Sequence, residues 1–459
     1  MTSTLPGPAR ESLTGWGRCT RSSAQVSAVR SVDEVQAAVR AWEPRGVLAR
    51  GAGRSYGDAA QNGGGRVLDL SAMSDLEVSA GGREVVAGAG LLLRDLLARL
   101  IPQGLTVPVS PGTSFVTVGG MVAADAHGKN HHAQGSFGSH VTWLEIVDGT
   151  GEPRRLEPHQ AEFWATVGGM GLTGVITRVA FTPLAMPIPY LCVDVEPFDD
   201  LRELMATMTE RDRTARYSVA WVDSVGLTGP VGRGILTTGE HAPAAARGSA
   251  DASAALPVAR GTRPALRAPR GIPGGLLNPR SVGAFNAAWF AREGRRRTGE
   301  LQPFSRFFHP LDGVRDWNRI YGPAGFLQYQ FAVPDAASEV IPQVLHALAS
   351  AGIPSFLTVL KRFGPGNAGP LSFPAAGWTL AVDVPAAPSG LRTTLAMLDG
   401  VVVDAGGRFY LAKDAHTTAS AFAAGYPRLS EWREVRRSLD PHGVFASDLS
   451  RRLGLIPAE

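Results

Sequence analysis

Three glycine-rich segments lie within the first 175 residues: "RGAGRSYGDAAQNGGG" from Arg50 to Gly65, "PGTSFVTVGG" from Pro111 to Gly120, and "GGMGLTG" from Gly168 to Gly174. Glycine admits positive φ and lets a ligand approach the backbone closely. Successive N–H groups in such loops can form a nest for an anion. The first segment is not a dinucleotide fingerprint, because its glycines at 51, 53 and 57 are spaced one residue too wide for G-x-G-x-x-G. No segment ends in the Gly-Lys-Ser/Thr of a nucleoside-triphosphate loop. Several loops spread over this length imply a long ligand carrying a pyrophosphate and contacted along much of its extent.

The rest of the composition narrows the class. Of 459 residues, 44% are hydrophobic and 19% charged, which suits a soluble globular chain of two or three domains. The N-terminus lacks the apolar core of a signal peptide, and no run approaches the roughly 18 apolar residues of a membrane span. A cytoplasmic protein, or one peripheral at the plasma membrane, is expected. Cys19 and Cys192 have neither disulfide nor metal-site spacing, so no metal is expected. A net charge of +4 argues against nucleic acid as a partner. Of 45 basic residues only Lys129, Lys361 and Lys413 are lysine. A lysine kept among so many arginines marks a place where a compact ammonium with a tunable pKa is useful, or else a leftover surface position.

Residues 31 to 180 read as short alternating elements. Ser31 and Glu34 form a capping-box pattern before an amphipathic helix, and "GVLAR" follows as a buried strand. "VTWLEIVDGTGEPRRLEP" reads as a hairpin turning at Gly149-Thr150-Gly151. From Pro187 to Gly406, strand-like runs such as "FLQYQFAVP" and "WTLAVDVP" mix with helical runs such as "EVIPQVLHALASAG". The stretch of about 241–300 is dominated by Ala, Pro, Arg and Gly and reads as a mobile basic loop. Within it "FNAAWFAREGRRR" suits either an interfacial helix touching anionic headgroups or a solvated loop.

The glycine segments, together with "AADAHGKNHHAQGSFGSHV", "FHPLDGVRDWNRIYGPAGFLQYQF", "LKRFGPGNAGPLSFPAAGW", "FYLAKD" and "VFASDLSRRL", resemble the vanillyl-alcohol-oxidase-type FAD flavoenzymes. Within that family they are most similar to the oxidases of the decaprenylphosphoryl-β-D-ribose 2′-epimerase systems of actinobacteria. The resemblance spans nearly the whole chain and is weakest over the basic loop. It implies an α+β, two-domain fold. The FAD domain would be discontinuous, residues 1–186 with 407–459, around an antiparallel-sheet substrate cap at 187–406. It also implies FAD-dependent oxidation of a polyprenyl-phosphate sugar at the ribose 2′-hydroxyl. A separate NADH-dependent short-chain reductase would complete the epimerisation that feeds cell-wall arabinan. An alditol or sugar oxidase of the same superfamily, acting on a soluble polyol, is the competing reading. A flavin-free lipid- or cell-wall-binding protein on the same fold is a third.

The resemblance assigns FAD contacts to Gly51, Ala52, Gly53, Arg54, Ser55, Tyr56, Gly57, Asp58 and Ala59. It extends them to Gly112, to Thr117, Val118, Gly119 and Gly120, and to Asp125, Ala126 and His127. Val175 or Ile176 would pack on the cofactor and Tyr410 would return to it. Many family members carry histidine where this chain has Arg54 and attach the flavin through it. A guanidinium has no free lone pair, so noncovalent FAD is expected, with Arg54 as a phosphate or structural contact. Lys413 is the favoured general base, His127 the other candidate and Tyr56 a relay. Gln330 would bind sugar hydroxyls, and Lys129 and Lys361 the phosphate or sugar. His131 and His132 read as hydrogen-bonded structure. Phe308 stands where relatives often carry tyrosine, and Ala381 where some carry cysteine, so turnover should need no thiol there and thiol-directed covalent inhibitors should fail.

Overall fold

A computed structural model describes residues 9–249 and 266–456, so part of the basic stretch lies outside the described residues. The chain begins with a mixed sheet whose strands lie in the order Ala9–Thr14, Arg21–Ala28, Arg66–Asp69 and Val47–Arg50. A five-stranded antiparallel sheet follows, in the order Leu76–Val78, Val85–Gly88, Val175–Phe181, Val141–Val147 and Pro153–Leu156. The hairpin read around Gly149-Thr150-Gly151 is its last pair, with Val147 opposite Pro153. Ser31 caps the helix Val32–Arg40 by accepting from the Glu34 amide, while the Glu34 carboxylate reaches back to the Arg30 amide at 2.7 Å. The box thus closes one residue earlier than its ideal form.

The middle of the chain builds an eight-stranded sheet ordered Arg297–Pro303, Tyr190–Phe198, Gly234–His241, Tyr217–Val222, Thr358–Phe363, Gly377–Pro385, Phe326–Val333 and Arg408–Phe409. Every pairing in it is antiparallel. Strand side chains alternate between faces. Leu327, Tyr329, Phe331, Trp378, Leu380 and Val382 point one way, into a core shared with helices Leu201–Arg211, Val340–Ser350 and Leu391–Asp404. Their polar neighbours, among them Gln328, Gln330, Lys361 and Asp383, therefore face the other way, toward the N-terminal sheets. In Val340–Ser350 the buried residues Val340, Ile341, Val344, Leu345 and Leu348 form one stripe, which is why that segment is helical and docked.

The last fifty residues return to the first sheets. Val47 donates to the Val444 carbonyl and accepts from Ala446, Asp448 donates to Gln61, and the Trp432 indole reaches the Ala165 carbonyl. These contacts support the proposed division into a discontinuous N- plus C-terminal unit and a cap. Strand Arg408–Phe409, just beyond residue 406, extends the cap sheet.

The segment 285–297, open in the sequence between an interfacial helix and a solvated loop, is mostly helical. The stretch read as a mobile loop contains a 15-residue helix, Pro279–Glu293, with Asn278 in a capping box, and it ends in the edge strand Arg297–Pro303. The helix is held because Asn286 is buried and bonds Asp223 at 2.8 Å, and Asp223 in turn pairs with buried Arg233. Apolar contacts hold it too: Val282 is buried, and Trp289 and Phe290 pack against the main core.

Arg452 joins the two chain ends. It forks onto Asp58 at 2.8 and 2.7 Å and reaches Asp414 at 2.9 Å. Burial would raise the Asp414 carboxyl, but Arg452, His416 and backbone amides hold it below its ordinary value. Arg452→Met leaves two buried carboxylates without their cation and should destabilise the fold by about 3 kcal/mol, measured by urea unfolding at neutral pH.

Candidate active site

The loop from Gly51 to Ala59 is shaped by its neighbours. Gly53 has φ +61. A Cβ on Gly51 would stand 2.2 Å from the Thr117 hydroxyl, and one on Gly57 2.0 Å from the Asp414 carbonyl. Glycine is required because two other segments press on this turn. Among the described residues no protein acceptor meets the N–H groups of Ala52, Gly53, Arg54 or Ser55, whereas the Tyr56 amide bonds the Ala412 carbonyl at 2.8 Å. Four successive free donors make a nest suited to an anion. Gly112 also faces open space. The stretch Thr117–Gly120 differs. The amides of Val118, Gly119 and Gly120 bond Leu91 O, Ala89 O and Thr117 Oγ1, so this segment offers a close surface rather than donors.

A cavity of about 1340 Å³ opens between this loop region and the cap sheet. Ala52, Ser114, Phe115 and Thr117 line one side; Val195, Val219, Trp221 and Ile235 line the other. Pockets for ordinary small ligands run to roughly 1,000 Å³, so this one suits a longer cofactor with a substrate beside it. The Arg54 guanidinium lies 4.0 Å from the Trp16 ring and 5.1 Å from that of Phe115.

Beside it sits a polar cluster. The Lys413 ammonium lies 3.8 Å from the Tyr56 ring centroid. Gln328 donates to Asp383 and, at 3.4 Å, to the Tyr56 hydroxyl. Burial pulls Lys413 down to about 8, against the field of Asp383. Burial lifts Asp383 to about 7, against its bond from Gln328 and the charge of Lys413. Lys361 falls to about 7 through burial and the charges of Lys413 and Lys129. Lys129, also near 7 through burial, donates to the Phe307 carbonyl and lies 4.2 Å from the Phe307 ring. Three half-buried amines thus have pKa values near neutrality.

His127 is packed among the rings of Phe363, Phe373 and Tyr410. Its Nε2 accepts from the Gln330 amide at 3.1 Å, which places the imidazole proton on Nδ1, an atom with no protein partner. Burial, then the charges of Lys361, His131 and Lys413, push His127 well below the ordinary imidazole range. Tyr56 is shifted the other way: burial raises its phenol well above the ordinary value, so it stays neutral near pH 7. The Asp125 carboxylate is occupied by Gly138, Asn367 and Ser372, and Tyr410 donates to the Ala124 carbonyl. Ile176 is buried in its sheet opposite Ile146.

Lys413, Tyr56, His127, Gln330, Lys361 and Tyr410 therefore gather in one region, and Lys129 lines the cavity beside it. Phe308 does not join the lining. Its ring is buried against Tyr217, Phe304 and Phe307, and Phe307 faces the cavity instead. Adjacent helical residues point about 100° apart, which separates them. Gln328 and Asp383 are the residues sequence reasoning missed. The signal was present: each is two positions from a residue already marked, Gln330 and Ala381, and so shares its face. Among the described residues no group of three or more His, Cys, Asp or Glu is placed to hold a metal ion.

A family model for an FAD binding domain matches residues 23–157, and one for D-arabinono-1,4-lactone oxidase matches residues 392–453. The chain is 42% identical to decaprenylphosphoryl-β-D-ribose oxidase of Mycolicibacterium smegmatis, over 97% of both chains. It is 36% identical to an uncharacterized protein of Streptomyces coelicolor, over 80% of this chain and all of that one. It is 24% identical to alditol oxidase of a Streptomyces species, over 96% of this chain and 98% of the relative.

The half-buried amines make a stability prediction. Below about pH 7 the folded chain must hold the Lys361 ammonium in a poor solvent, while the unfolded chain solvates it freely. Lys361→Met should raise the urea midpoint at pH 6, and the gain should shrink as the pH rises from 7 towards the ordinary lysine value of 10.5.

Proposed function

This chain belongs to the vanillyl-alcohol-oxidase-type FAD oxidoreductases, in the family of the decaprenylphosphoryl-β-D-ribose oxidases, and from that premise we propose that it oxidises the 2′-hydroxyl of decaprenylphosphoryl-β-D-ribose to the 2′-ketone. The fit of the cofactor to these residues rests on the free amide nest at Ala52–Ser55 and on the size of the cavity. FAD, when bound, supplies the acceptor for the hydride that leaves the sugar carbon.

The protein's own task is the hydroxyl proton. A general base works best with a pKa near the working pH and in hydrogen-bond reach. Lys413, near 8, meets the first condition, and His127, pushed far down, does not. The Tyr56 ring face and Asp383 stabilise the ammonium that forms, so both states of Lys413 stay accessible. His127 keeps its Nδ1–H for a ligand atom while Gln330 fixes the ring. Lys361 and Lys129 serve the sugar and its phosphate. An anion entering among three near-neutral amines draws them to their charged form, which a neutral polyol does not. This cluster carries the reading and favours a phosphate-bearing substrate over the alditol alternative.

The ketone then needs a separate NADH-dependent short-chain reductase to give the arabinose epimer. The prenyl chain resides in a bilayer, so the cavity mouth must approach one. The helix Pro279–Glu293 stands there, with Trp289 and Arg292 at the lining and Phe285 exposed. That supports a protein that is cytoplasmic or peripheral at the plasma membrane. Among the described residues no helix is long and apolar enough to cross it.

Anaerobic mixing with polyprenyl-phosphoryl ribose should bleach the flavin absorbance. Lys413→Ala should abolish bleaching while FAD stays bound. The bleaching rate should rise with pH through about 8, because only the neutral amine accepts a proton. Normal bleaching by Lys413→Ala refutes the base. Peroxide formation with free polyols, and none with the phospholipid sugar, refutes the substrate.

A further inference from the structure

The "HPLD" string from His309 to Asp312 has so far no role. It leaves the edge strand of the cap through the short helix Phe304–Phe308 and forms the 3₁₀ turn Pro310–Gly313. Such a turn has three residues per revolution, so positions three apart eclipse. His309 and Asp312 therefore point to one side, and both reach "SPGTS", Ser110 to Ser114, on the opposite half of the molecule. His309 Nε2 lies 2.9 Å from the Ser110 hydroxyl. One Asp312 oxygen accepts from the Thr113 hydroxyl at 2.6 Å, and the other accepts from both the amide and the hydroxyl of Ser114 at 2.7 Å.

The Ser114 peptide is thus gripped from two sides, since its carbonyl accepts from the Arg94 amide at 2.9 Å. What the grip fixes is the inner side of the loop. Ser114, Phe115 and Thr117 line the cavity. The guanidinium groups of Arg54 and Arg94 both lie near the Phe115 ring, at 5.1 and 5.3 Å from its centroid. Thr117 stands against Gly51. Hydrogen bonds to a carboxylate are the stronger kind, and three converge on this one.

We infer that Asp312 is a positioning residue: from the cap, its carboxylate holds the Thr113–Ser114 turn in the shape in which the Gly112–Thr117 loop receives FAD. This rests on the reading above that the loop contacts the cofactor. It makes cofactor retention depend on a cap residue that does not itself belong to the glycine loops.

The test uses purified holoenzyme and needs no sugar. FAD release is followed by the fluorescence of free flavin on dilution, and exchange of the Ser114 amide by hydrogen–deuterium exchange. Asp312→Ala should weaken FAD binding by about tenfold and speed Ser114 exchange. Thr113→Val should weaken it less, and the double variant should fall short of the summed effects, because the two remove one shared contact. Thr113→Val leaves the cap intact and reads the same carboxylate should Asp312→Ala not fold. Wild-type FAD affinity in both variants, or fully additive effects, overturns the inference. Either result leaves the substrate proposal standing, and a failure of polyprenyl-phosphoryl ribose to bleach the flavin leaves the Asp312 contact standing.

Discussion

The site exists because Arg452, seven residues from the end of the chain, is held between Asp58 and Asp414. Asp58 closes the first glycine loop, and Asp414 follows Lys413 directly. One guanidinium therefore ties the nest of free amides to the lysine that faces it. The arrangement is stable because each charge has its partner: two carboxylates brought together in a buried place would repel strongly without the cation. The Tyr56–Ala412 backbone bond repeats the link one layer in, and Gly57 lets the two strands of chain touch. The Tyr56 ring is left facing the Lys413 ammonium.

The cap sheet supplies the opposite wall by a simpler rule. Its two faces differ because side chains alternate, and the helix-covered face takes Leu327, Tyr329, Phe331, Trp378, Leu380 and Val382. On the same strands the inner face carries, beside Phe326 and Phe363, the residues Gln328, Gln330, Lys361 and Asp383, which are costly to bury. Gln328 bonds Asp383 and Gln330 bonds His127, while Lys361 and Asp383 have pKa values moved toward neutrality, which lowers the cost of holding them there. The same burial that costs stability lowers Lys413 to about 8, the range the proposed base requires. A phosphate-bearing ligand would relieve the repulsion among the amines, so the site is built to be most stable when full.

Much of this was legible in the sequence. Local chemistry sets the helix cap at Ser31, the hairpin at Gly149–Gly151 and the period-2 strands of the cap, and the scarcity of lysine marked Lys129, Lys361 and Lys413. Glycine spacing excluded two common phosphate loops and implied a long ligand. These properties are determined by neighbours within a few positions, or by residue type, and need no fold to be read. The tertiary structure decided what depends on distant partners. It placed Phe308 in the core and Phe307 at the cavity, and occupied the amides of Val118, Gly119 and Gly120. It also docked the helix Pro279–Glu293 through buried Asn286 and Val282. Gln328 and Asp383 acquired meaning only when two strands paired. Hydrogen bonding, burial and charge fields act across hundreds of residues of chain, and only the folded molecule brings their sources within reach.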